Sequence, residues 1–418
     1  MAANVVLVGT LDTKGPEVAY LADRLHALGC TTTIVDVGIL GEPLDVVPDV
    51  SHEEVALAGG TNLQAIREAG TRGRAVAAMA DAVRNKMMEL FKIGKVDAAI
   101  GLGGAEGAVM GAGALMVLPL GVPKVVLSPI ASGRHEFDPL VGTSDMMVVH
   151  TVVDILGLNP IATTIFDNVA AAVAGMAQKG SRLRSPDDDS KYVGITMLGN
   201  TTTAVMAMRD RLAEDGYEAV VFHSNGVGGP AMEELAQTGL FVGVIDYTTN
   251  EVTDPLVGGI HDGGPSRLSV IAELGIPQVV VPGCIDFSVF HSGAVPRSLA
   301  NRNVYDHNPE YTLVRMTKDE MTELGEIFAD RLGNANGPVQ ILIPTRGLSI
   351  PNVEGGVFWD PDADAAFRDS LLASLDGAVP VEMHALHVND PDCGVLAAEA
   401  FISLMNRSNS NSQEAIEV

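Results

Sequence analysis

The segment Gly9-Thr10-Leu11-Asp12-Thr13-Lys14-Gly15 gathers hydroxyls, a carboxylate and an amine in a polar turn between the apolar run Asn4 to Val8 and a helical pattern. Those groups suit an anionic ligand. Parallel sheets hold ligands beyond the carboxyl ends of their strands, where a helix N-terminus offers unpaired N–H groups and about half a positive charge. Lys14 adds a full charge. The competing use of the same residues is an ordinary strand-to-helix turn capped by Asp12 or Thr13, with Lys14 in solvent.

Three further segments of the first half bear on the same site. Asp36 closes a second apolar run, where a carboxylate suits sugar hydroxyls or, equally, caps a turn. Gly101-Leu102-Gly103-Gly104-Ala105-Glu106-Gly107 is a glycine-rich turn between a strand and a small-residue helix. Glycines permit the close backbone approach of a phosphate cradle, or simply tight packing of helix on sheet. The loop Ser128 to Asp145, with Ser132, Gly133, Arg134, His135 and Asp145, is too long and polar for a plain connector. It is a candidate cover for a site or a partner surface.

The second half is denser in polar strand ends. They are His223-Ser224-Asn225-Gly226-Val227-Gly228-Gly229, Asp246-Tyr247-Thr248-Thr249-Asn250-Glu251, Gly283-Cys284-Ile285-Asp286, Thr345-Arg346-Gly347-Leu348-Ser349 and His387-Val388-Asn389-Asp390. In a parallel sheet these loops share one edge, and together they read as a ligand crevice. His223, Asp246, Glu251, Asp286, Arg346 and His387 are the candidate catalytic residues. Gly228-Gly229-Pro230 is a second anion-ready helix start, with Glu233 one turn in. His223 with Asp286, His387 or Asp390 suits a divalent metal or an acid–base pair, although a hydrogen-bonded structural role is the commoner fate of a single histidine. Spacing fixes no metal ligand set. Cys284 is either a nucleophile or, more in keeping with its lack of a sequence-local partner, a buried inert thiol.

Positioning these groups calls for two layered domains. The chain has 418 residues, 47% hydrophobic but only 4% aromatic, with 45 glycines, which suits parallel α/β layers joined by tight loops. The polar run KGSRLRSPDDDSK, Lys179 to Lys191, is the linker candidate. It divides the chain into a first domain at 1–180, a linker at 181–190, a second domain at 191–405 and a flexible tail at 406–418. Both halves begin alike, with a strand, a turn, a helix ending in Asp-Arg-Leu-x-x-x-Gly, and a second strand. Strands are expected at Asn4 to Val8, Thr32 to Val37, Ala98 to Ile100, Lys124 to Ser128, Tyr192 to Met197, Ala219 to Phe222, Val242 to Ile245, Gln278 to Val281, Val339 to Ile343 and Val381 to Leu386. Besides those opening helices, Arg74 to Ile93, Ala162 to Gln178, Thr317 to Arg331 and Asp364 to Leu375 have helical spacing.

Charge and cysteine content narrow the setting. A net charge of −27 disfavours nucleic acid and anionic lipid as partners. Three widely spaced cysteines fit neither a disulfide framework nor a zinc knuckle. With no basic segment followed by an apolar one at the start, and no long uninterrupted apolar stretch, a cytoplasmic protein without a membrane span is expected.

The loops together resemble the Tm-1-like UPF0261 family. The likeness covers nearly the whole chain and rests on GTLDTKG at the start, FHSNGVGGPAMEEL from Phe222, GVIDYTTNEVTDPLVGG from Gly243, PGCIDFSVF from Pro282, and PTRGLS and HVND near the end. It implies an α/β fold of two Rossmann-like three-layer domains with mainly parallel sheets, nucleotide binding in the first domain, and a homodimer. Thr10, Asp12, Thr13 and Lys14 would form the first-strand loop of the nucleotide site, and Gly103, Gly104 and Gly107 its glycine-rich loop. With Gly9, Asp36 and Glu106 these are the candidate cofactor-binding residues, and ATP with Mg2+ is the implied cofactor. One departure is chemical. The family resembles GLGGSGGT where this chain has GLGGAEGA from Gly101, and a carboxylate in a phosphate cradle is repulsive unless a cation or a proton offsets it. A plant member carries an additional barrel-like domain, so the resemblance also implies a separate TIM-barrel protein as a partner.

The leading expectation is a nucleotide- or phosphate-ligand-binding protein, an enzyme acting on a small anionic metabolite in the cleft between its domains. Lys14 and the helix starts would hold the anionic group. The alternatives are a non-catalytic ATP-dependent partner-binding or regulatory module, and a metal-assisted hydrolase or carbon–carbon lyase of an oxo acid.

Overall fold

The computed structural model describes residues 2–131, 138–183 and 190–416. Ser132, Gly133, Arg134 and His135, and most of the expected linker, lie outside the described residues. The chain divides into two compact units, Met1–Arg184 and Ser185–Val418.

The first unit is a five-stranded parallel sheet of β1 (Asn4–Gly9), β2 (Thr31–Asp36), β3 (Ala98–Leu102), β4 (Lys124–Ser128) and β5 (Met147–His150), in the order β2-β1-β3-β4-β5. Its helices are α1 (Leu11–Ala27), α2 (His52–Ala58), α3 (Leu63–Arg67), α4 (Arg72–Lys92), α5 (Ala105–Met116), α6 (Asp138–Val141) and α7 (Pro160–Lys179). Strand residues alternate between two cores. Val5 and Leu7 of β1 pack with α1 and α7, while Val6 and Val8 pack with α2, α3, α4 and α5. A sheet covered on both faces needs continuous apolar strands, which is why β1 reads NVVLVG without polar alternation. Helix α7 is long and apolar enough to cross a membrane by length and composition. Here Phe166, Val169, Ala170 and Val173 bury one of its faces on the sheet.

Small residues set how α5 meets this sheet. A Cβ on Gly101 of β3 would lie 3.0 Å from the Gly111 Cα, so strand and helix touch main chain to main chain. A Cβ on Gly103 would come within 2.6 Å of the Gly107 Cα. Tight packing and an open, uncrowded helix start are thus achieved by the same glycines.

The second unit has a six-stranded parallel sheet of β6 (Tyr192–Met197), β7 (Glu218–His223), β8 (Gly243–Thr248), β9 (Gln278–Gly283), β13 (Val339–Pro344) and β14 (Val381–His384), in the order β14-β13-β9-β8-β6-β7. Between β9 and β13 the chain forms an antiparallel sheet of β10 (Phe287–His291), β11 (Val304–Asp306) and β12 (Tyr311–Arg315), which the sequence pattern does not announce. The helices are α8 (Thr202–Glu214), α9 (Gly228–Gln237), α10 (Asp254–Val257), α11 (Ser269–Leu274), α12 (Lys318–Leu332), α13 (Pro361–Leu375) and α14 (Pro391–Ile416). Helices α8 and α14 cover one face through Met208, Leu212, Ala397 and Phe401, and α12 and α13 cover the other through Phe328 and Phe367. Helix α14 continues through the polar run from Asn406 to Ile416, which contains neither glycine nor proline to stop it.

Candidate functional site

Strand β1 lies between β2 and β3, so the chain order reverses at its carboxyl end. Such a reversal opens a crevice beyond the strand ends. In the first unit it is a cavity of about 930 Å3, lined by Thr10, Asp12, Thr13 and Lys14 after β1 and by Gly104, Glu106 and Gly107 after β3. Arg67, Glu68, Gly70, Thr71 and Arg72 contribute from α3, α4 and the turn between them, and Ile39, Leu40, Val76 and Met110 make its apolar lining. The volume is that of a small-molecule site, for which about 300–1,000 Å3 is usual.

Two helices start at this cavity without a side-chain cap, α1 after Thr10 and α5 after Gly104. At α5 the first-turn N–H groups have no intrahelical acceptor, whereas at α1 the Leu11 amide donates to Asp36 and the Thr13 amide to the Thr10 carbonyl, which leaves the Asp12 amide. Thr10 and Thr13 instead face one another through their hydroxyls at 3.1 Å. Lys14 leaves helical geometry, at φ −123° and ψ 17°, just before Pro16. Its ammonium donates to the Ile155 carbonyl, which leaves further donors for a ligand. Asp12 lines the cavity but uses Oδ2 to accept from the Leu40 and Gly41 amides at 3.3 and 3.1 Å, holding the loop that follows β2.

Glu106 is answered by Arg72, whose guanidinium pairs with its Oε2. The charge that Glu106 brings to the glycine-rich turn is therefore offset by a cation from α4. Asp36 takes the other of its two expected parts. It is buried, its Oδ1 accepts from the Leu11 and Gly38 amides at 3.0 and 2.8 Å, and its Oδ2 lies 2.8 Å from Nδ1 of buried His52. Burial raises its pKa. It fastens the ends of β1 and β2 and does not line the cavity. Gly9 and Gly103 also stand behind the lining, where Cβ atoms would crowd Val18 and Gly107.

Arg67, Arg72 and His52 escaped the sequence reading because they lie at helix ends away from any strand end. The available signal was Thr71, which caps α4 by accepting from the Arg74 amide at 3.2 Å.

In the second unit the five polar loops do share the carboxyl edge of the parallel sheet. Asp246 and Glu251 come together on a residue the sequence did not single out. Arg267 is fully buried and donates to Glu251 at 2.7 Å, to Glu233 at 2.9 Å and to both oxygens of Asp246 at 2.5 and 2.7 Å. Thr196 donates to Asp246, and the Gly226 and Gly229 amides to Glu251. With these partners the two carboxylates tie loops together inside the protein, where solvent does not reach them.

Asp286 and His387 are linked through Ser349. The Ser349 hydroxyl donates to Asp286 Oδ2 at 2.7 Å, and His387 Nε2 lies 2.8 Å from the Ser349 carbonyl oxygen. His387 Nδ1 accepts from the Asn389 amide at 3.1 Å, so both ring nitrogens are used. His223 and Arg346 are exposed. No hydrogen bond among the described residues joins His223 to Asp286, His387 or Asp390, and no group of three or more His, Cys, Asp or Glu is arranged to hold a metal. Cys284 is buried and burial pushes its thiol pKa well up, the inert form.

Burial holds Glu233 and Asp254 near pKa 7 and Asp286 near 6, against model-peptide values of 4.5, 3.8 and 3.8. Over that interval the folded chain keeps protons that the unfolded chain has released, so stability falls as pH rises from about 4.5 to about 7. His261 opposes this below about 6.5, since burial and the nearby His223 and His291 lower it to about 4, but with one proton against three. The melting temperature is expected to drop between pH 5 and 7.5 and level off above, and Glu233→Gln to shallow the drop. A midpoint that climbs over that range would contradict the proton balance.

Comparison with known proteins follows the division into units. Residues 3–182 match the model of "Uncharacterised protein family (UPF0261) N-terminal domain" and residues 190–405 that of the C-terminal domain. A UPF0261 protein of Clostridium tetani is 35% identical over 97% of this chain and 100% of its own length, and one of Mesorhizobium japonicum is 38% identical over 96% and 99%. The ToMV resistance protein Tm-1(GCR237) of Solanum lycopersicum is 32% identical over 97% of this chain, which spans 56% of that protein. Among solved structures, UDP-N-acetylglucosamine 2-epimerase aligns over 90% of this chain and 94% of its own at 12% identity, with a TM-score of 0.24.

Proposed function

The chain belongs to the UPF0261 family, and from that premise we propose that its first unit is a binding site for a nucleotide or a phosphorylated small molecule, serving chemistry on a small anionic metabolite. The observation that carries this reading is the meeting of the uncapped start of α5, the hydroxyl-lined turn after β1, Lys14, Arg67 and Arg72 on one 930 Å3 cavity at the sheet's reversal point. A phosphate accepts from such amides and cations together, and the protein's strongly negative surface leaves few other places for one. ATP with Mg2+ is the first ligand to test, because Arg72 offsets the charge that Glu106 brings to the cradle.

The test is thermal unfolding with ATP, ADP and inorganic phosphate, each with and without magnesium. A ligand at one hundred times its Kd stabilises by about 2.7 kcal/mol, enough to read as a shift of several degrees. Lys14→Ala is expected to weaken binding about tenfold or more, the scale of one lost charge-assisted contact. Parent protein that no phosphate compound shifts would sink the reading, and unchanged affinity in the variant would remove Lys14 from it.

A further inference from the structure

The cavity of the first unit offers its ligand two chemically different ends. At the β1 end are the Lys14 ammonium, the Thr10 and Thr13 hydroxyls and the Asp12 amide, while the Leu11 amide is taken by Asp36 and the Asp12 carboxylate is held by the loop after β2. At the β3 end the start of α5 has no side-chain cap, and Glu106 sets a carboxylate in its first turn. Arg72 takes one oxygen of that carboxylate, Oε2, and among the described residues Oε1 accepts no hydrogen bond. A free carboxylate oxygen repels phosphate and accepts strongly from a hydroxyl. Asp36, a strand-end acid suited by sequence to sugar hydroxyls, is buried, with Oδ1 accepting from two amides and Oδ2 turned inward to His52. Asp12 and Glu68 also line the cavity with one oxygen hydrogen-bonded each, but Asp12 turns its carboxylate onto the loop after β2, against the Leu40 and Gly41 amides and Gly38, and Glu68 stands at the C-terminal end of α3 beside Gln64. Glu106 is the lining acid that stands with a spare oxygen at the start of α5.

We propose that Glu106 makes this cavity selective for phosphate esters that carry a vicinal diol, ribonucleotides among them. The phosphate lies at the β1 turn, the diol donates to Glu106 at the start of α5, and the base rests on the apolar lining of Ile39, Leu40, Val76 and Met110. A bare phosphate or a deoxygenated sugar forgoes the Glu106 contact. The inference rests on the reading of this cavity as a phosphate-ligand site.

Calorimetric titration of the full chain with ADP, 2′,3′-dideoxy-ADP and inorganic phosphate tests it. The dideoxy compound is expected to bind the parent roughly ten- to a hundredfold more weakly than ADP, the range for a hydrogen bond to a charged group. In Glu106→Ala the two should bind alike, with phosphate bound no more weakly than before, since a like charge has gone. Glu106 and Arg72 side chains are 45% and 78% exposed, so the variant leaves no charge stranded in the interior. Glu106→Gln, which keeps the shape and removes the charge, should narrow the gap in the same sense. Equal binding of the two nucleotides by the parent, or a gap that survives both variants, overturns the inference. Phosphate binding without ADP binding does the same while leaving the phosphate site standing. Failure of all three compounds to bind brings down the site and the inference together.

Discussion

Arg267→Met is expected to destabilise the protein by at least about 3–5 kcal/mol, the range for removing one partner of a buried ion pair. The guanidinium is fully buried and its fork is spread over Glu233, Asp246 and Glu251. Methionine fills a similar volume but leaves three carboxylates facing one another without a cation. Lysine keeps the charge yet has a single ammonium for partners that approach from several directions, so Arg267→Lys should recover only part of the loss. Urea unfolding at pH 7.5 and at pH 5.5 measures both the loss and its origin. If charge repulsion is the cause, the deficit shrinks at the lower pH, where the carboxylates can take up protons. A Met variant within about 1 kcal/mol of the parent at pH 7.5 would show that the cluster does not depend on its cation.

Gly15→Ala is the second substitution with a large expected effect. An ideal Cβ at Gly15 would sit 1.7 Å from the Leu44 carbonyl oxygen, a separation that no rotamer change relieves because both atoms belong to the backbone frame. The Leu44 amide donates to the Leu11 carbonyl at 2.9 Å, and Asp12 holds Leu40 and Gly41, so the loop after β2 is laid directly on the first turns of α1. An alanine must lift that loop, at a cost of about 1–3 kcal/mol or more. Because Ile39 and Leu40 line the cavity, ADP affinity should fall with stability. Gly73→Ala is the control. Nothing lies within 4 Å of its Cβ position inside α4, so this change should be neutral or slightly stabilising. Equal melting temperatures for Gly15→Ala and the parent would mean the loop is not seated as described.

How much of this was legible in the sequence depends on whether a residue's partner is near in the chain. The apolar runs located ten of the eleven parallel strands to within three residues at each end, with Lys124–Ser128 and Tyr192–Met197 matching at both ends, because strands buried on two faces carry few polar interruptions. The loops after β1 and β3 were placed on one cavity by the rule that parallel strand ends share an edge. Strand β5, the antiparallel sheet and the helical end of the chain were missed. Strand β5 is only four residues at a sheet edge, and the polar run from Asn406 carries a tail's composition on a helix. Burial was the harder quantity. Asp36, Asp246 and Glu251 look like any polar strand-end residues, and only the distant Leu11 amide, His52 and Arg267 show that they are turned inward. Arg72 answers Glu106 across 34 positions of sequence, a pairing that no local pattern encodes.

The main-chain contact between Gly101 and Gly111 has a meaning for how such a protein can change over time. Helix α5 is located on the sheet by backbone against backbone, and the side chain at position 106 adds only an exposed ion pair with Arg72. If the cavity reads its ligand through Glu106 as proposed, a mutation there would change what it attracts while leaving the seat of the helix on the sheet alone. Scaffold and preference are inherited separately, and relatives that share every strand and helix of this unit are free to diverge in the molecules they recognise.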